Sequence, residues 1–348
     1  MKKVLITGAG GFIGFHLSKK LLNKNFEVLG IDNLNAYYSV KLKKDRLKIL
    51  KKYKNFSFNK TDISNKKKIK IQFKKFKPDL VINLAAQAGV RYSLTNPDAY
   101  AETNLIGFFN ILDCCRLHKI SHFIYASTSS VYGANKKMPF KEKDIADHPI
   151  QFYAATKRSN EIMAHSYSSL YKIKTTGLRF FTVYGPWSRP DMSLLKFAKN
   201  ISDNKKIDLF NYGNHTRDFT YVDDIVDGIF NILNKKIIKI KKNKKSYYTD
   251  PSSSPDGLFE VYNIGSQKPI TLMKYVNLLE KYLGKKAKAN KLPLQKGDIL
   301  DTYSSTHKLK KDYNYLPKTK IENGIKEFVK WFKVYYKKWT LLKTFYSF

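Results

Sequence analysis

A tyrosine and a lysine one helical turn apart are the best-placed residues in this chain for acid–base chemistry. Tyr153 and Lys157 lie in the segment QFYAATKRSNEI, which is predicted to be helical, so their side chains would share one face. A free phenol has a pKa near 10, and ionising it at pH 7 requires a shift of roughly 3 units, or about 4 kcal/mol. The Lys157 ammonium and a positive nicotinamide ring would both act in that direction. Tyr153 could then remove a proton from a substrate hydroxyl while a hydride leaves the same carbon.

Two hydroxyl groups upstream strengthen this interpretation. The Tyr–Lys spacing alone carries little weight, because it arises often by chance in a chain with 24 tyrosines. In ASTSSVYG, however, Ser127 and Thr128 end a predicted strand, where they could hydrogen-bond the reacting oxygen. Ordinary capping of the strand end is the alternative role for these hydroxyls.

A glycine-rich segment near the N-terminus has the spacing of a dinucleotide-binding turn. GAGGFIG places Gly8, Gly11 and Gly14 between a predicted strand and a predicted helix. Glycines there permit a tight turn and let a diphosphate approach backbone N–H groups at the helix N-terminus. Asp32 ends the next predicted strand, where a carboxylate can accept from ribose hydroxyls and repel a 2′-phosphate. The pattern favours NAD over NADP, although a plain strand–turn–helix connection is the alternative.

The elements that must position these residues alternate between strands and helices over the first half of the chain. The apolar runs KKVLIT, FEVLGID, FSFNKTD, DLVINLAA, HFIYASTS and TTGLRFFTV predict strands, and helices are predicted near 65–76, 97–117 and 152–171. This order predicts an α/β fold, a Rossmann-like doubly wound parallel sheet. After about residue 182 the regular alternation ends, which predicts a smaller, mainly C-terminal α/β lobe.

The composition excludes several classes of protein. With 348 residues, 43% of them apolar, the chain can build a core, which excludes wholesale disorder. It contains no run of about 18 apolar residues, so no membrane-spanning helix is expected. The two cysteines, Cys114 and Cys115, are adjacent and poorly placed to bridge each other or to hold a metal. They indicate a reducing compartment, so we expect a cytoplasmic protein without a metal or a disulfide scaffold.

The formal charge of +37 suggests nucleic-acid binding as one function. Only seven of the 65 basic residues are arginines, however, and the lysines occur in scattered short groups. Proteins that read nucleic-acid sequence favour arginine for its bidentate geometry. A genome rich in A and T would explain the lysines together with the abundant Asn, Ile, Phe and Tyr. The charge therefore favours a solvated lysine-rich surface, with a basic binding protein on an inactive dinucleotide fold as the alternative.

Eight motifs along nearly the whole chain resemble those of one enzyme family. The chain is similar to the extended short-chain dehydrogenases/reductases, and within them most closely to the UDP-glucuronate 4-epimerases. The segments DNLNAYY and AAQAGVRYS narrow the resemblance to this subgroup. The motifs are TGAGGFIG, IDNLNAYY, NLAAQAGVRYSLTNP, YASTSSVYG, YAATKRSNE, RFFTVYGPWSRPDM, DFTYVDDIVDGI and VYNIGSQKPITL.

The resemblance implies a catalytic trio, a bound NAD and a set of substrate contacts. The trio is Thr128, Tyr153 and Lys157. The implied cofactor-binding residues are Gly8, Gly11, Phe12, Ile13, Gly14, Asp32, Asn33, Asp62, Ile63, Leu84, Ala85, Ala86 and Asn104, with Tyr153 and Lys157. The implied substrate-binding residues are Ser127, Ser129, Thr182, Arg189, Arg217 and Asp298. Arg217 matches the position that grips the UDP phosphates, and Asp298 matches a uridine-ribose contact.

The implied reaction is redox-neutral. Tyr153 would deprotonate the C4 hydroxyl of UDP-glucuronate while NAD takes the C4 hydride. The 4-keto sugar would turn over in the site and receive the hydride on its opposite face, which gives UDP-galacturonate without an external reductant.

The sequence leaves two alternative enzyme activities and the roles of two residues undecided. A 4-keto uronate can lose CO₂, so an epimerase must hold the carboxylate away from the required alignment; Thr182 and Arg189 match positions suited to this. Where related dehydratases and decarboxylases carry acids, this chain has Ser129 and Ser130, which favours epimerisation. A 4-epimerase of uncharged UDP-hexoses and a UDP-glucuronate decarboxylase are the enzyme alternatives. Arg91 could face the substrate or make a structural pair, and Asn104 is equally compatible with an ordinary helix position.

The resemblance also implies domains, an assembly and a biological setting. We expect a homodimer through the helices near 97–117 and 152–171, and a role of the product in polysaccharide synthesis. The tail 337–348 is expected to dock on its own lobe rather than on a membrane. The expected parts are an NAD-binding domain at 1–181 with returning segments near 218–235 and 259–264, a UDP-sugar lobe at 182–217 and 265–348, and an exposed loop at 236–258.

Overall fold

A computed structural model describes residues 1–234, 250–295 and 299–345, with 337–345 described as helix backbone only. Asp298, most of the expected loop 236–258 and the side chains of the tail 337–348 therefore lie outside the described residues. In chain order the strands are β1 (Lys3–Thr7), β2 (Glu27–Asp32), β3 (Phe56–Lys60), β4 (Leu80–Asn83), β5 (His122–Thr128), β6 (Thr175–Phe180), β7 (Thr182–Tyr184), β8 (Lys206–Leu209), β9 (Thr216–Tyr221), β10 (Phe259–Ile264), β11 (Pro269–Thr271) and β12 (Lys288–Lys291).

A seven-stranded parallel sheet forms the centre of the molecule. Its strand order is β10-β6-β5-β4-β1-β2-β3, and every neighbouring pair is parallel. Val4, Leu5 and Ile6 of β1 are fully buried, as the unbroken apolar run predicts for a strand covered on both faces. The strand order reverses beside β1, which opens a crevice at the carboxyl ends of the strands. The predicted doubly wound α/β fold is confirmed.

Helices cover both faces of this sheet and build the second lobe. The helices are α1 (Phe12–Leu22), α2 (Val40–Leu50), α3 (Lys66–Phe76), α4 (Pro97–Tyr100), α5 (Phe108–Leu117), α6 (Phe152–Tyr171), α7 (Ser193–Ser202), α8 (Val222–Asn234), α9 (Leu272–Leu283), α10 (His307–Tyr313) and α11 (Ile321–Phe345). The predicted helix at 97–117 consists of α4, a π-helical stretch at Ala101–Gly107, and α5. Two apolar clusters lie on opposite faces of the sheet, one centred on α1 and α8, the other on α3 and α5.

The smaller lobe has two small sheets and its own core. Strands β7, β9 and β11 form one sheet, and β8 pairs with β12 in the other. The core packs α7 and α9 against α11, which buries Ile325, Phe328, Val329 and Phe332. These four α11 residues recur at helical spacing, so the helix is amphipathic. Ile321, the first residue of α11, is only partly buried.

The predicted strand TTGLRFFTV divides between the two lobes. Residues Thr175–Phe180 form β6 of the central sheet, whereas Thr182–Tyr184 form β7 and pair with β9. Phe181 is the point of change, and its side chain packs in a small apolar cluster with Tyr132 and Phe140. Thr182 is therefore carried from the central sheet toward the second lobe.

Within residues 1–234, 250–295 and 299–345, none of the helices is both long enough and apolar enough to span a membrane.

Candidate active site

A cavity of about 370 Å³ opens at the carboxyl ends of β1, β2, β4, β5 and β6. All three expected catalytic residues line it, and so does every expected cofactor-binding residue except Asn104. Four expected substrate-binding residues, Ser127, Ser129, Thr182 and Arg189, line the same cavity. The structure thus brings the predicted residues together, while their roles stay predictions.

The glycine turn leaves a cradle that side chains would fill. Gly8 has φ +72°, and a Cβ there would lie 2.8 Å from the backbone nitrogen of Ala85. A Cβ on Gly14 would lie 2.1 Å from the carbonyl oxygen of Gly8, and one on Gly11 would lie 2.9 Å from it. Gly11 precedes the first residue of α1 without a side-chain cap, so the first N–H groups of the helix remain available to an anion. The turn therefore fits a diphosphate at a helix N-terminus.

The carboxylate of Asp32 faces this turn from the end of β2. One of its oxygens accepts a hydrogen bond from the backbone N–H of Gly10 at 3.0 Å, and the other accepts from Leu34 at 2.8 Å. Burial raises the pKa of Asp32, although these N–H groups and the charge of Lys43 oppose the rise. Nearby, Asn33 donates to Asp62 at 2.7 Å. The arrangement fits an adenosine with free ribose hydroxyls, as NAD has.

Two cations beside the turn were not predicted from the sequence. Arg46 is fully buried in α2, donates to the carbonyl of Gly10 at 2.7 Å, and donates to the carbonyl of Trp187 at 2.6 Å. It therefore ties the glycine turn to the segment that carries Arg189. Lys43, one helical turn earlier, donates to both oxygens of Asn35 and lies over the ring of Tyr38.

Tyr153 extends into the cavity beside the end of β5. Burial raises its pKa, and the groups that oppose this rise are the charge of Arg189 and a hydrogen bond with Thr128. The expected effect of the Lys157 ammonium on the pKa of Tyr153 stays a prediction. The pairing of Tyr153 with Thr128, however, places two hydroxyl groups where one substrate oxygen could meet both.

Lys157 is only 2% exposed, one turn after Tyr153 on α6. Burial lowers its pKa from 10.5 to about 8, while the charge of Glu161 opposes the shift. The ammonium is therefore held in an environment that disfavours its charge.

Replacing this lysine should stabilise the fold at neutral pH. Because the folded-state pKa of about 8 is below the ordinary 10.5, burying the charge destabilises the protein below pH 8, and the cost disappears as the pH rises toward 10.5. We expect Lys157→Met to unfold roughly 5 °C higher near pH 7, and the difference to shrink above pH 8. Thermal scans of both proteins at matched NAD content, over this pH range, measure the effect; a difference independent of pH would contradict it.

A buried ion-pair network lies under the catalytic residues and also escaped the sequence analysis. Ser127 donates to Glu161 at 2.6 Å, so its hydroxyl is engaged by this carboxylate. Arg179 of β6 binds both oxygens of Glu161 at 2.8 and 2.9 Å, and Arg158 adds a bond at 2.9 Å. Glu161 and Arg179 are at most 1% exposed. The network fixes the ends of β5 and β6 against α6.

Asn104, expected to bind the cofactor, lies behind the cavity wall. Its side chain accepts from the backbone N–H of Gln87 at 2.8 Å and donates to the Gln87 carbonyl at 3.0 Å and to Thr156 at 3.0 Å. These three bonds are all to protein groups, and the residue is 1% exposed. The structure supports a positioning role, in which Asn104 holds the loop after β4 against α6.

A second cavity of about 740 Å³ continues from the first toward the smaller lobe. Thr182 and Arg189 line both cavities, and Arg217 lines the second. Arg217 donates to the carbonyls of Ile299 and Leu300, directly after the undescribed Asp298. Arg91 also lines the second cavity, with its guanidinium 4.7 Å from the centre of the Phe210 ring. The cleft therefore runs from the glycine turn to a basic region in the other lobe.

Comparisons with known proteins agree with this geometry. The model of the NAD dependent epimerase/dehydratase family matches residues 4–244. The chain is 51% identical to protein CapI of Staphylococcus aureus over 97% of this chain and 100% of that one. It is 42% identical to a probable UDP-glucuronate 4-epimerase of Rhizobium meliloti over 97% and 98% of the two chains.

A solved structure shares the fold over nearly the full length. It is a UDP-glucuronic acid 4-epimerase from Bacillus cereus in complex with UDP-glucuronic acid and NAD, with a TM-score of 0.86. The two chains are 32% identical over 96% of this one and 100% of that one. By its glycine cradle, its Tyr153–Lys157 pair and these similarities, the chain belongs to the NAD dependent epimerase/dehydratase family.

Proposed function

We propose that this chain catalyses the reversible C4 epimerisation of UDP-glucuronate to UDP-galacturonate. The observation that carries the proposal is that Tyr153, Thr128 and Arg189 line one cavity, which continues into a basic cavity holding Arg217. An acid–base pair and two arginines in one cleft suit a substrate with a reactive hydroxyl, a diphosphate and a carboxylate. The ligands of the Bacillus cereus structure, UDP-glucuronic acid and NAD, support the same substrate and cofactor.

In this reaction the residues of the chain move one proton and hold the substrate. Tyr153 accepts the proton of the C4 hydroxyl and returns it after the sugar has turned over. Thr128 hydrogen-bonds the reacting oxygen and Tyr153. The glycine cradle and Asp32 would hold NAD, which when bound would supply the hydride acceptor and a positive ring whose charge lowers the pKa of Tyr153. Lys157, whose buried ammonium lies on the same helical face, is the residue that we assign to the nicotinamide ribose.

The site also fits retention of the uronate carboxylate. Thr182 and Arg189 lie where the two cavities meet, and we assign them to the carboxylate. Among the described residues that line the cofactor cavity, the only carboxylates are Asp32 and Asp62. Asp32 ends β2, and Asp62 follows the end of β3. Ser129 and Ser130 line it without an acid beside them. The cavity thus offers no side-chain acid beside Ser129 and Ser130 to protonate C5 after loss of CO₂, which favours epimerisation over decarboxylation.

Incubation of the purified protein with UDP-glucuronate, followed by NMR of the sugars, tests the proposal. We expect UDP-galacturonate at equilibrium with the substrate. Turnover of UDP-glucose alone would instead assign an epimerase of uncharged UDP-hexoses, and a UDP-pentose product would assign a decarboxylase. Purified protein without NAD, but with strong salt-dependent DNA binding, would support the basic binding protein.

We further propose a cytoplasmic homodimer whose product serves polysaccharide synthesis. Helix α6 and the helical region 97–117 expose several apolar side chains, among them Ile106, Ile162 and Leu170, each more than half exposed. A second copy covering these residues would remove them from water. Cys114 and Cys115 are free thiols, in keeping with a reducing compartment. Light scattering of the purified protein should give twice the mass of the chain, and a monomer would contradict the dimer.

A further inference from the structure

Three separate segments meet where the two cavities join. Tyr37 from DNLNAYY, Gly89 from AAQAGVRYS and Arg189 from SRPD all line both cavities. The first two segments are the ones that narrow the chain's resemblance to uronate epimerases, yet no role has been assigned to Tyr37 or Gly89. Their meeting point is therefore a place to look for the origin of substrate selectivity.

Arg189 is held on one side by a carboxylate of its own segment. Its Nε donates to Oδ1 of Asp191 at 3.0 Å, and its Nη2 donates to Oδ2 of the same carboxylate. Nη2 also lies 3.5 Å from the carbonyl oxygen of Ala88. Nη1 has no hydrogen-bond partner among the described residues, so its two N–H groups are the donors left for an anion in the cleft.

Tyr37 holds the Asp191 carboxylate of this ion pair in place. Its hydroxyl donates to Oδ2 of Asp191 at 3.1 Å, and its ring lies 4.8 Å from the ring of Tyr92. Gly89 has φ +112°, and a Cβ there would lie only 2.6 Å from the Tyr37 hydroxyl. A side chain at position 89 would therefore clash with the Tyr37 hydroxyl, which only glycine accommodates. Burial and the charge of Asp191 raise the pKa of Tyr37 to about 12, so it remains a donor throughout the working pH range.

We propose that Tyr37 and Asp191 are positioning residues that fix the guanidinium of Arg189 for a uronate carboxylate and thereby set both substrate selectivity and the fate of the keto intermediate. The inference rests on the proposed function, in which Arg189 meets that carboxylate. Asp191 engages Nε and Nη2 of Arg189, so Nη1 is the nitrogen that can bind the uronate carboxylate. The carboxylate is then held in one orientation.

The fate of the intermediate depends on this orientation for a chemical reason. After C4 is oxidised, the substrate is a 4-keto uronate with its carboxylate two carbons from the carbonyl. If the C5–C6 bond aligns with the carbonyl π system, that bond breaks, CO₂ leaves, and the electron pair forms the C4–C5 enolate. A solvent proton at C5 then gives a UDP-4-keto-pentose, and return of the hydride taken from C4 reduces it to a UDP-pentose. A loosely held guanidinium would allow this rotation, whereas a fixed one prevents it.

Tyr37→Phe tests the proposal because it removes the hydroxyl and keeps the ring on Tyr92. With NAD-loaded protein, we expect the KM for UDP-glucuronate to rise about 5- to 10-fold and the UDP-pentose share of the products to increase. Calorimetry should give a Kd for UDP-glucose within about 2-fold of wild type, since that sugar has no carboxylate. In an Asp191→Asn background, Tyr37→Phe should change KM by less than about 2-fold, because both residues act through the same guanidinium.

Tyr336→Phe is the matched control, because it removes a tyrosine hydroxyl that donates to a carboxylate, Asp203, at 2.6 Å and outside both cavities. It should change neither KM nor the product ratio. A wild-type KM and pentose share in Tyr37→Phe would overturn the inference, as would an equal loss of UDP-glucose affinity or full additivity with Asp191→Asn. Wild-type protein that forms no UDP-galacturonate would instead overturn the proposed function itself.

Discussion

Tyr153→Phe is expected to lower kcat for C4 epimerisation by roughly 1,000-fold, the usual contribution of a positioned general base. The phenol is the group placed to exchange a proton with the C4 hydroxyl, and phenylalanine keeps the ring but cannot do so. The ring of Tyr153 lies 6.0 Å from that of Tyr100 in an edge-to-face arrangement that the variant retains. NAD should therefore remain bound, since the glycine cradle and Asp32 are untouched.

Product formation followed by NMR, with the NAD content of both proteins measured by absorbance, checks this result. Tyr125→Phe is a matched control on β5, because its hydroxyl is fully buried and has no hydrogen-bond partner among the described residues. It should retain wild-type turnover. More than about a tenth of wild-type activity in Tyr153→Phe would remove the general-base assignment, and loss of NAD would move Tyr153 to cofactor binding.

Glu161→Ala is expected to cost about 3–5 kcal/mol of the free energy of unfolding, the range for breaking a buried ion pair. The variant leaves the Arg179 guanidinium buried without its carboxylate and removes the acceptor of Ser127. Burial alone would raise the pKa of Glu161, but Arg179, Ser127 and Arg158 together lower it to about 2. Because the folded-state pKa lies below the unfolded value of about 4.3, the carboxylate stabilises the fold above that pH and loses this effect only as the pH falls toward 2.

Urea unfolding between about pH 5 and 8 should therefore show the same loss throughout that range. Glu327→Gln is the control for losing a glutamate charge, since Glu327 pairs with Lys330 on the surface and should contribute less than about 1 kcal/mol. If Glu161→Ala fails to fold, Glu161→Gln, which keeps the hydrogen-bonding shape, should fold with an intermediate loss. A loss no larger than that of Glu327→Gln would contradict a structural role for the network.

The fold could be predicted in most of its parts because its signals are local. The strand KKVLIT, the glycine turn and the helix that follows lie within the first 22 residues, and β1 and α1 form there. The division of TTGLRFFTV at Phe181 was not predicted, since both halves are equally apolar and only pairing with β9 separates them. Helix α2 was also missed, because its lysine-rich sequence shows little apolar periodicity and its role appears only when Arg46 is buried.

The site residues could likewise be predicted where the sequence signal is local, and were missed where it depends on distant partners. The glycines, Asp32 and the Tyr153–Lys157 pair follow from spacing and motif, and the structure places them in one cavity. Arg46 and Glu161 look like solvated helix charges in the sequence. Their buried partners Gly10 and Arg179 lie 36 and 18 residues away along the chain. No local pattern marks such a charge as buried. Asn104 illustrates the converse, because a motif position that suggests cofactor contact is engaged with Gln87 and Thr156 behind the wall.

The most direct test of the account follows the hydrogen at C4 during turnover. UDP-glucuronate carrying deuterium at C4 is incubated with the purified protein in ordinary water, and the sugars are resolved by NMR. If hydride leaves C4 and returns to its opposite face while Tyr153 moves only the hydroxyl proton, UDP-galacturonate should form with the deuterium still at C4. Absence of UDP-galacturonate, or a product whose C4 deuterium has exchanged with solvent, would contradict the account.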